Sequence, residues 1–375
     1  MPLLKRLFNL ILLTPDYHKR TFGLDLLRAI AILIVVINHG GWMLEKADSN
    51  FPWIPLINGV ELFFVLSGFL IGGILIKTIQ TTPQLTISTL GNFWIRRWLR
   101  TLPNYYLILG LNILVVFSGV INEDFTQFNW KFFLFLQNFC EPFYGFFWES
   151  WSLSIEEWFY LLFPLLFSGF YVLYKKSRKT ILLLSITLFL FASLLLRWFI
   201  ASKMVVDDFW FGVKIEKVVI FHFDGIAFGL LAAYIKHYKL IFWMNYRVWC
   251  FVIGILICYG LLYTTWLPND FSTKVYKLFF QSFGCFLLLP FFDSIKKAPS
   301  TITKIITHLS LISYSMYLIN LALVSEIILA NFPPNGIAAA WLAYLFYWLA
   351  VILGATFIYK YYEKPIMDLR DKIRI

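Results

Sequence analysis

Apolar runs of about 20 residues recur along the chain, separated by short polar breaks. A run of that length, helical with a rise of about 1.5 Å per residue, matches the hydrocarbon thickness of a bilayer. Ten such helices are expected, at 24–43, 56–77, 102–121, 152–173, 181–200, 218–236, 247–266, 273–293, 305–330 and 337–359. The fourth is interrupted by Glu156, Glu157 and Pro164, which predicts a bend or a partly re-entrant segment. The pattern defines an all-α integral membrane protein, a polytopic bundle of about ten transmembrane helices. No repeats stand out. No polar stretch is long enough to build an appended soluble domain, so one domain is expected over 1–375, with its core at about 20–365. The first apolar run lacks a small-residue cleavage site and leads into further spans, so it does not read as a signal peptide.

Composition agrees. Of 375 residues, 60% are hydrophobic and 14% are charged, against roughly a quarter charged in a soluble domain. The net charge of +11 could suggest nucleic acid as a partner, but its placement argues against that. With the N-terminus assigned to the cytoplasm, the loops of that side hold 23 of the 32 Lys and Arg, and the opposite side holds 7. This asymmetry predicts that both termini are cytoplasmic. The four cysteines are scattered and form neither a disulfide framework nor a metal-ligand spacing, so no metal is expected.

The candidate chemistry begins in the first span. Arg28 and His39 are 11 positions apart, roughly 1100° of helical rotation, so both point the same way about 16 Å apart along the axis. Asp25 lies on the same stripe. Ionisable groups within hydrocarbon usually face a bundle interior or a wet cavity. The plainer reading is that Arg28 snorkels to the interface and His39 only ends the helix. Arg97 and Arg100, in Asn92-Phe93-Trp94-Ile95-Arg96-Arg97-Trp98-Leu99-Arg100, are neighbours on one helix face. Two guanidiniums can grip a phosphate bidentately, or can anchor to anionic lipids. Trp151-Ser152-Leu153-Ser154-Ile155-Glu156-Glu157 opens the fourth span with two carboxylates about 100° apart. One of them, Glu156 first and Glu157 second, is a candidate to orient an imidazole or to assist proton transfer. Glu61, inside an apolar run, requires a partner, as does Asp224, for which Arg28 or another helix is available. Ser67-Gly68 and Gly72-Gly73 suit close helix packing. Glu363-Lys364-Pro365 reads as a helix stop.

Taken together, these segments resemble the membrane-bound acyltransferase family 3, over nearly the whole chain. Arg28 and His39 fit the family's arginine–ten residues–histidine motif, and Arg97 with Arg100 its Arg-x-x-Arg motif. The Phe-Phe-Val-Leu-Ser-Gly-Phe-Leu, Trp-Ser-Leu-Ser-Ile-Glu-Glu, Ser-Tyr-Ser-Met-Tyr-Leu and Tyr-Glu-Lys-Pro runs also look like the family. One departure is Asn320, where members often carry a histidine; a proton-carrying role is not expected there. The resemblance implies O-acylation: an acyl group, usually acetyl, moves from acetyl-coenzyme A to a hydroxyl. Acceptors in such a family are sugars of surface polysaccharide, lipopolysaccharide or peptidoglycan, or else macrolides and small lipids. It further implies a multi-pass protein of the plasma membrane (the inner membrane of a Gram-negative cell), with membrane lipids as neighbours. His39, Glu156 and Glu157 would then be catalytic, and Arg28, Arg97 and Arg100 would bind the donor. A rival class is a transporter or flippase that moves lipid-linked or acyl cargo without chemistry, using the same buried charges as a pathway. A scaffold or sensor would not need a histidine aligned with an inward arginine.

Overall fold

Backbone polar groups in hydrocarbon must be satisfied within the protein, and a helix does this segment by segment. A computed structural model of the chain describes residues 13, 15–17, 20–47, 56–81, 86–121, 125–174, 177–201, 208–262 and 270–372. The longer helices among them are α1 (Phe22–Ala47), α2 (Gly59–Thr81), α3 (Ile87–Phe117), α4 (Ser150–Tyr174) and α5 (Arg178–Ala201), then α6 (Asp224–Tyr238), α7 (Arg247–Leu262), α8 (Asp270–Ser294), α9 (Ser300–Ile319) and α10 (Ile337–Ile358). Eight candidate spans among the described residues are long and apolar enough to cross a membrane, and α6 and α7, shorter, fall on the sixth and seventh expected spans. The protein is thus a multi-pass, all-α membrane protein.

Boundaries differ from expectation where polar residues continue a helix. α3 begins at Ile87, well before the expected span, so Arg97 and Arg100 lie within it rather than ahead of it. α4 runs unbroken through Glu156, Glu157 and Pro164 as a single helix. α9 passes into a π-helical turn at Asn320–Ser325 and then a short helix, Glu326–Asn331. α10 passes into a second π turn at Tyr359–Glu363 and a helix at Lys364–Lys372. Glu363 therefore does not stop a helix; the chain stays helical past Pro365.

The chain forms two compact units. The first comprises 1–54, 95–125 and 296–375, and in it α1 packs against α9 and α10. Gly40 permits this approach, because a Cβ there would lie 2.4 Å from the Tyr347 ring. The second comprises 55–94 and 126–295 and is centred on α2 against α6. There the backbones nearly touch: a Cβ on Gly68 would stand 2.0 Å from the Ile226 carbonyl oxygen, and one on Gly229 2.1 Å from that of Val65. Small residues bring membrane helices together in this way. Gly72 also packs, against Ala233, whereas Gly73 faces open space.

Asp224 takes its partner from another helix. Arg197 of α5 meets it at 2.5 Å, with both side chains fully buried, and donates also to the Val275 carbonyl at 3.1 Å and to that of Phe221. Two of the basic residues on the sparse side of the charge count, Arg197 and Lys274, are thus buried in the protein rather than set in loops. Lys5, Arg6, Lys19, Lys175, Lys176, Lys203 and Arg374 lie outside the described residues, as does the side chain of Lys46.

Candidate active site

The first unit gathers charge at one end of α1. The charges acting on the Arg28 guanidinium are those of Arg100, Arg20 and Arg97, with Asp25 opposing them. Arg28 therefore shares one neighbourhood with Arg97 and Arg100, a pair far from it in sequence, and Arg20 joins them. Asp25 holds Arg20 by two hydrogen bonds, from Nε at 2.7 Å and Nη2 at 2.5 Å. The same carboxylate accepts from Ser310 Oγ at 2.8 Å. α9 thereby fixes the counterion of the cluster.

A second carboxylate stands beside it. Glu363 is buried, and Arg100 and Arg28 both act on it. Its Oε2 accepts from Ser315 Oγ at 2.8 Å and from Asn104 Nδ2 at 3.2 Å. Tyr362 Oη donates to the Pro103 carbonyl at 3.2 Å and Tyr314 Oη to that of Thr101 at 2.9 Å. The Ser-Tyr-Ser-Met-Tyr-Leu and Tyr-Glu-Lys-Pro segments thus lock the helix carrying Arg97 and Arg100. Four guanidiniums against two carboxylates leave an excess of positive charge with planar, multiply donating groups, a chemistry suited to phosphates.

His39 lies about three turns further along α1 than Arg28. Its Nδ1 is 2.5 Å from Asn320 Oδ1, at the first residue of the π turn. Asn320 is fully buried. Its amide nitrogen donates to the Met316 carbonyl at 3.0 Å and the Tyr317 carbonyl at 2.7 Å. Tyr347 Oη donates to the Val36 carbonyl at 3.0 Å and approaches Asn320 Oδ1 at 3.5 Å. The Trp42 ring stands 5.9 Å from the imidazole. π turns within α-helices are frequent at functional sites, and this one sets the side chain that meets His39.

The second unit holds the remaining candidates. Glu157 is buried and Glu156 half-buried near the start of α4. Glu61 finds two partners: His222 Nε2, and Ser282 Oγ, which donates at 2.7 Å. His222 Nδ1 is 2.5 Å from the Glu216 carbonyl oxygen, and its ring stacks on Trp151 at 5.9 Å.

Asn320, Glu363 and Arg20 are the site residues that sequence reasoning missed. In the sequence Asn320 is only a departure from a pattern, and Glu363 only a stop signal. A signal exists for Glu363, since an acid beside the end of an apolar run, in a chain where basic residues outnumber acidic ones, has a ready counterion. Arg20 gives none, because it sits among ordinary flanking basic residues.

A multi-pass helical protein with a guanidinium cluster and an oriented histidine on one helix is the class these features define. The chain belongs to the acyltransferase domain family Acyl_transf_3, whose model matches residues 21–360. It is similar to the peptidoglycan O-acetyltransferase OatA of Listeria monocytogenes, 31% identical over 159 residues that make up 38% of this chain and 23% of that protein. A Bacillus subtilis protein, YrhL, provisionally named a peptidoglycan O-acetyltransferase, is 32% identical over 181 residues, 44% of this chain and 26% of its own length. A Staphylococcus aureus protein provisionally named an O-acetyltransferase is 35% identical over 170 residues, 42% of this chain and 26% of its own. The matched part of the chain spans about a quarter of the length of these curated relatives. No solved structure matches.

Proposed function

We propose that this protein is an integral membrane O-acyltransferase that moves an acyl group, acetyl first, from acyl-coenzyme A to a hydroxyl of a cell-surface carbohydrate. The observation that carries the reading is the composition of α1. It sets Arg28 among three further guanidiniums and presents His39, hydrogen-bonded through Nδ1, further along the same face. Coenzyme A is the substrate whose phosphates suit such a cluster, and Arg28, Arg97 and Arg100 are assigned to it. The asymmetry of basic loops supports a cytoplasmic donor end and an outward His39, with both termini cytoplasmic, in the plasma membrane. His39 acts as general base: it takes the proton of the acceptor hydroxyl while that oxygen bonds to the acyl carbonyl carbon. The carbon–sulfur bond breaks, and the departing sulfur receives the proton back from His39. A covalent acyl-histidine route would use the same residue. Glu156, then Glu157, is assigned to assist proton transfer. Relatives named for peptidoglycan O-acetylation support a carbohydrate acceptor.

The test is acetyl transfer by the purified protein in liposomes, with labelled acetyl-coenzyme A outside or inside and a muramyl-type glycan as acceptor. Labelled ester on the glycan, only when donor and acceptor are on opposite sides, is expected. Translocation of an intact donor or glycan without ester formation would favour a transporter instead.

A further inference from the structure

We infer that Asn320 is a positioning residue that fixes the tautomer of His39, making Nε2 the nitrogen that takes the acceptor's proton. The inference rests on the general-base reading of His39. A backbone carbonyl can only accept, so the two carbonyls of Met316 and Tyr317, at 3.0 and 2.7 Å, require the NH2 of the Asn320 amide to face them. The amide oxygen is then the atom that faces His39 Nδ1, at 2.5 Å. An oxygen of this kind has no proton to give, so Nδ1 must carry one. In a neutral imidazole with Nδ1 protonated, the lone pair sits on Nε2. The orientation is held from three sides: both amide hydrogens are committed within the helix, Tyr347 Oη lies 3.5 Å from Oδ1, and the residue is fully buried. A flip of the amide would set its NH2 against His39 and its oxygen against two carbonyl oxygens, leaving buried groups unpaired, which is costly.

The device differs from a carboxylate behind a histidine. An amide fixes which nitrogen is basic but carries no negative charge to balance the imidazolium that forms during transfer. Asn320 therefore orients without storing charge.

The experiment has a spectroscopic arm and a kinetic arm, both on the full chain. Nitrogen-15 NMR of protein labelled at its five histidines, with the His39 signals assigned by their loss in His39→Gln, reports which ring nitrogen is protonated. Protonated Nδ1 and unprotonated Nε2 are expected in the wild type at a pH where the ring is neutral; the reverse overturns the inference without any variant of Asn320. Asn320→Leu, close in shape, is expected to mix the two tautomers and lower kcat about 10²-fold, toward the low end of losing a general base, with KM for acetyl-coenzyme A nearly unchanged. Asn320→His, which can again present an acceptor nitrogen, is expected to restore the tautomer and most of kcat. Wild-type kcat in Asn320→Leu overturns the positioning role. Activity retained by His39→Ala is a separate failure, that of the general-base reading itself, and it leaves the measured tautomer standing.

Discussion

Replacing Arg28 with glutamine separates a cluster built for a ligand from one built for the fold. In the ligand-free protein Arg28 is opposed by Arg100, Arg20 and Arg97 and attracted by Asp25. Glu363 is a second carboxylate on which Arg28 acts. Two unit charges ~8 Å apart interact by about 2 kcal/mol at an effective dielectric of 20. Burial and three like charges outweigh the attraction of Asp25, by an amount on the order of one such interaction. Arg28→Gln should therefore leave the ligand-free protein as stable as wild type, or up to about 2 kcal/mol more stable. Bound phosphate reverses the sign. A hydrogen bond to a charged group contributes about 1.5–3 kcal/mol, so coenzyme A affinity should fall roughly 10- to 100-fold. Thermal unfolding in detergent, with and without coenzyme A, reads both effects. The expected pattern is an equal or higher Tm without ligand and a smaller rise on adding it. A lower Tm without ligand, together with an undiminished rise on adding coenzyme A, would refute the reasoning and make Arg28 a structural residue.

Other consequences follow from the same geometry. Asp224→Ala leaves the fully buried Arg197 guanidinium without its carboxylate and should destabilise the protein by about 3–5 kcal/mol; a wild-type denaturation midpoint would contradict this. In a cysteine-free background, a cysteine at position 48 should react with an impermeant reagent from outside and one at 177 should not, and the opposite pattern reverses the assigned orientation. Glu156→Gln should lower transfer more than Glu157→Gln while donor binding is kept, and equal wild-type rates in both variants would remove the pair from proton transfer.

The fold was legible in the sequence to the extent that it is written in runs of apolar residues. Length and hydropathy suffice for a helix that must satisfy its own backbone in hydrocarbon, and among the described residues eight of the ten expected spans fall on helices long enough to cross, the sixth and seventh on shorter ones. Polar extensions were not legible by that rule. α3 runs back through Asn92 and Arg96 because an interfacial helix tolerates charge, and the helix beyond α10 continues through Glu363 because Ser315 and Asn104 satisfy the acid. Arg28, Arg97 and Arg100 were legible as phosphate-type groups from local spacing, but their meeting was not, since no periodicity links α1 to α3. The same holds for Asn320, which lies 281 positions from the histidine it touches. Glu61 was legible as needing a partner; that the partner is His222, 161 positions away, was not.

The most direct measurement of the central claim is acyl transfer by His39→Gln. Glutamine has an amide that can still hydrogen-bond toward Asn320, yet it cannot take a proton near neutral pH. With expression, monodispersity and coenzyme A binding matched to wild type, the account predicts transfer reduced by at least about 10²-fold. Substantial transfer by a well-folded His39→Gln protein would contradict it and would remove His39 from the chemistry.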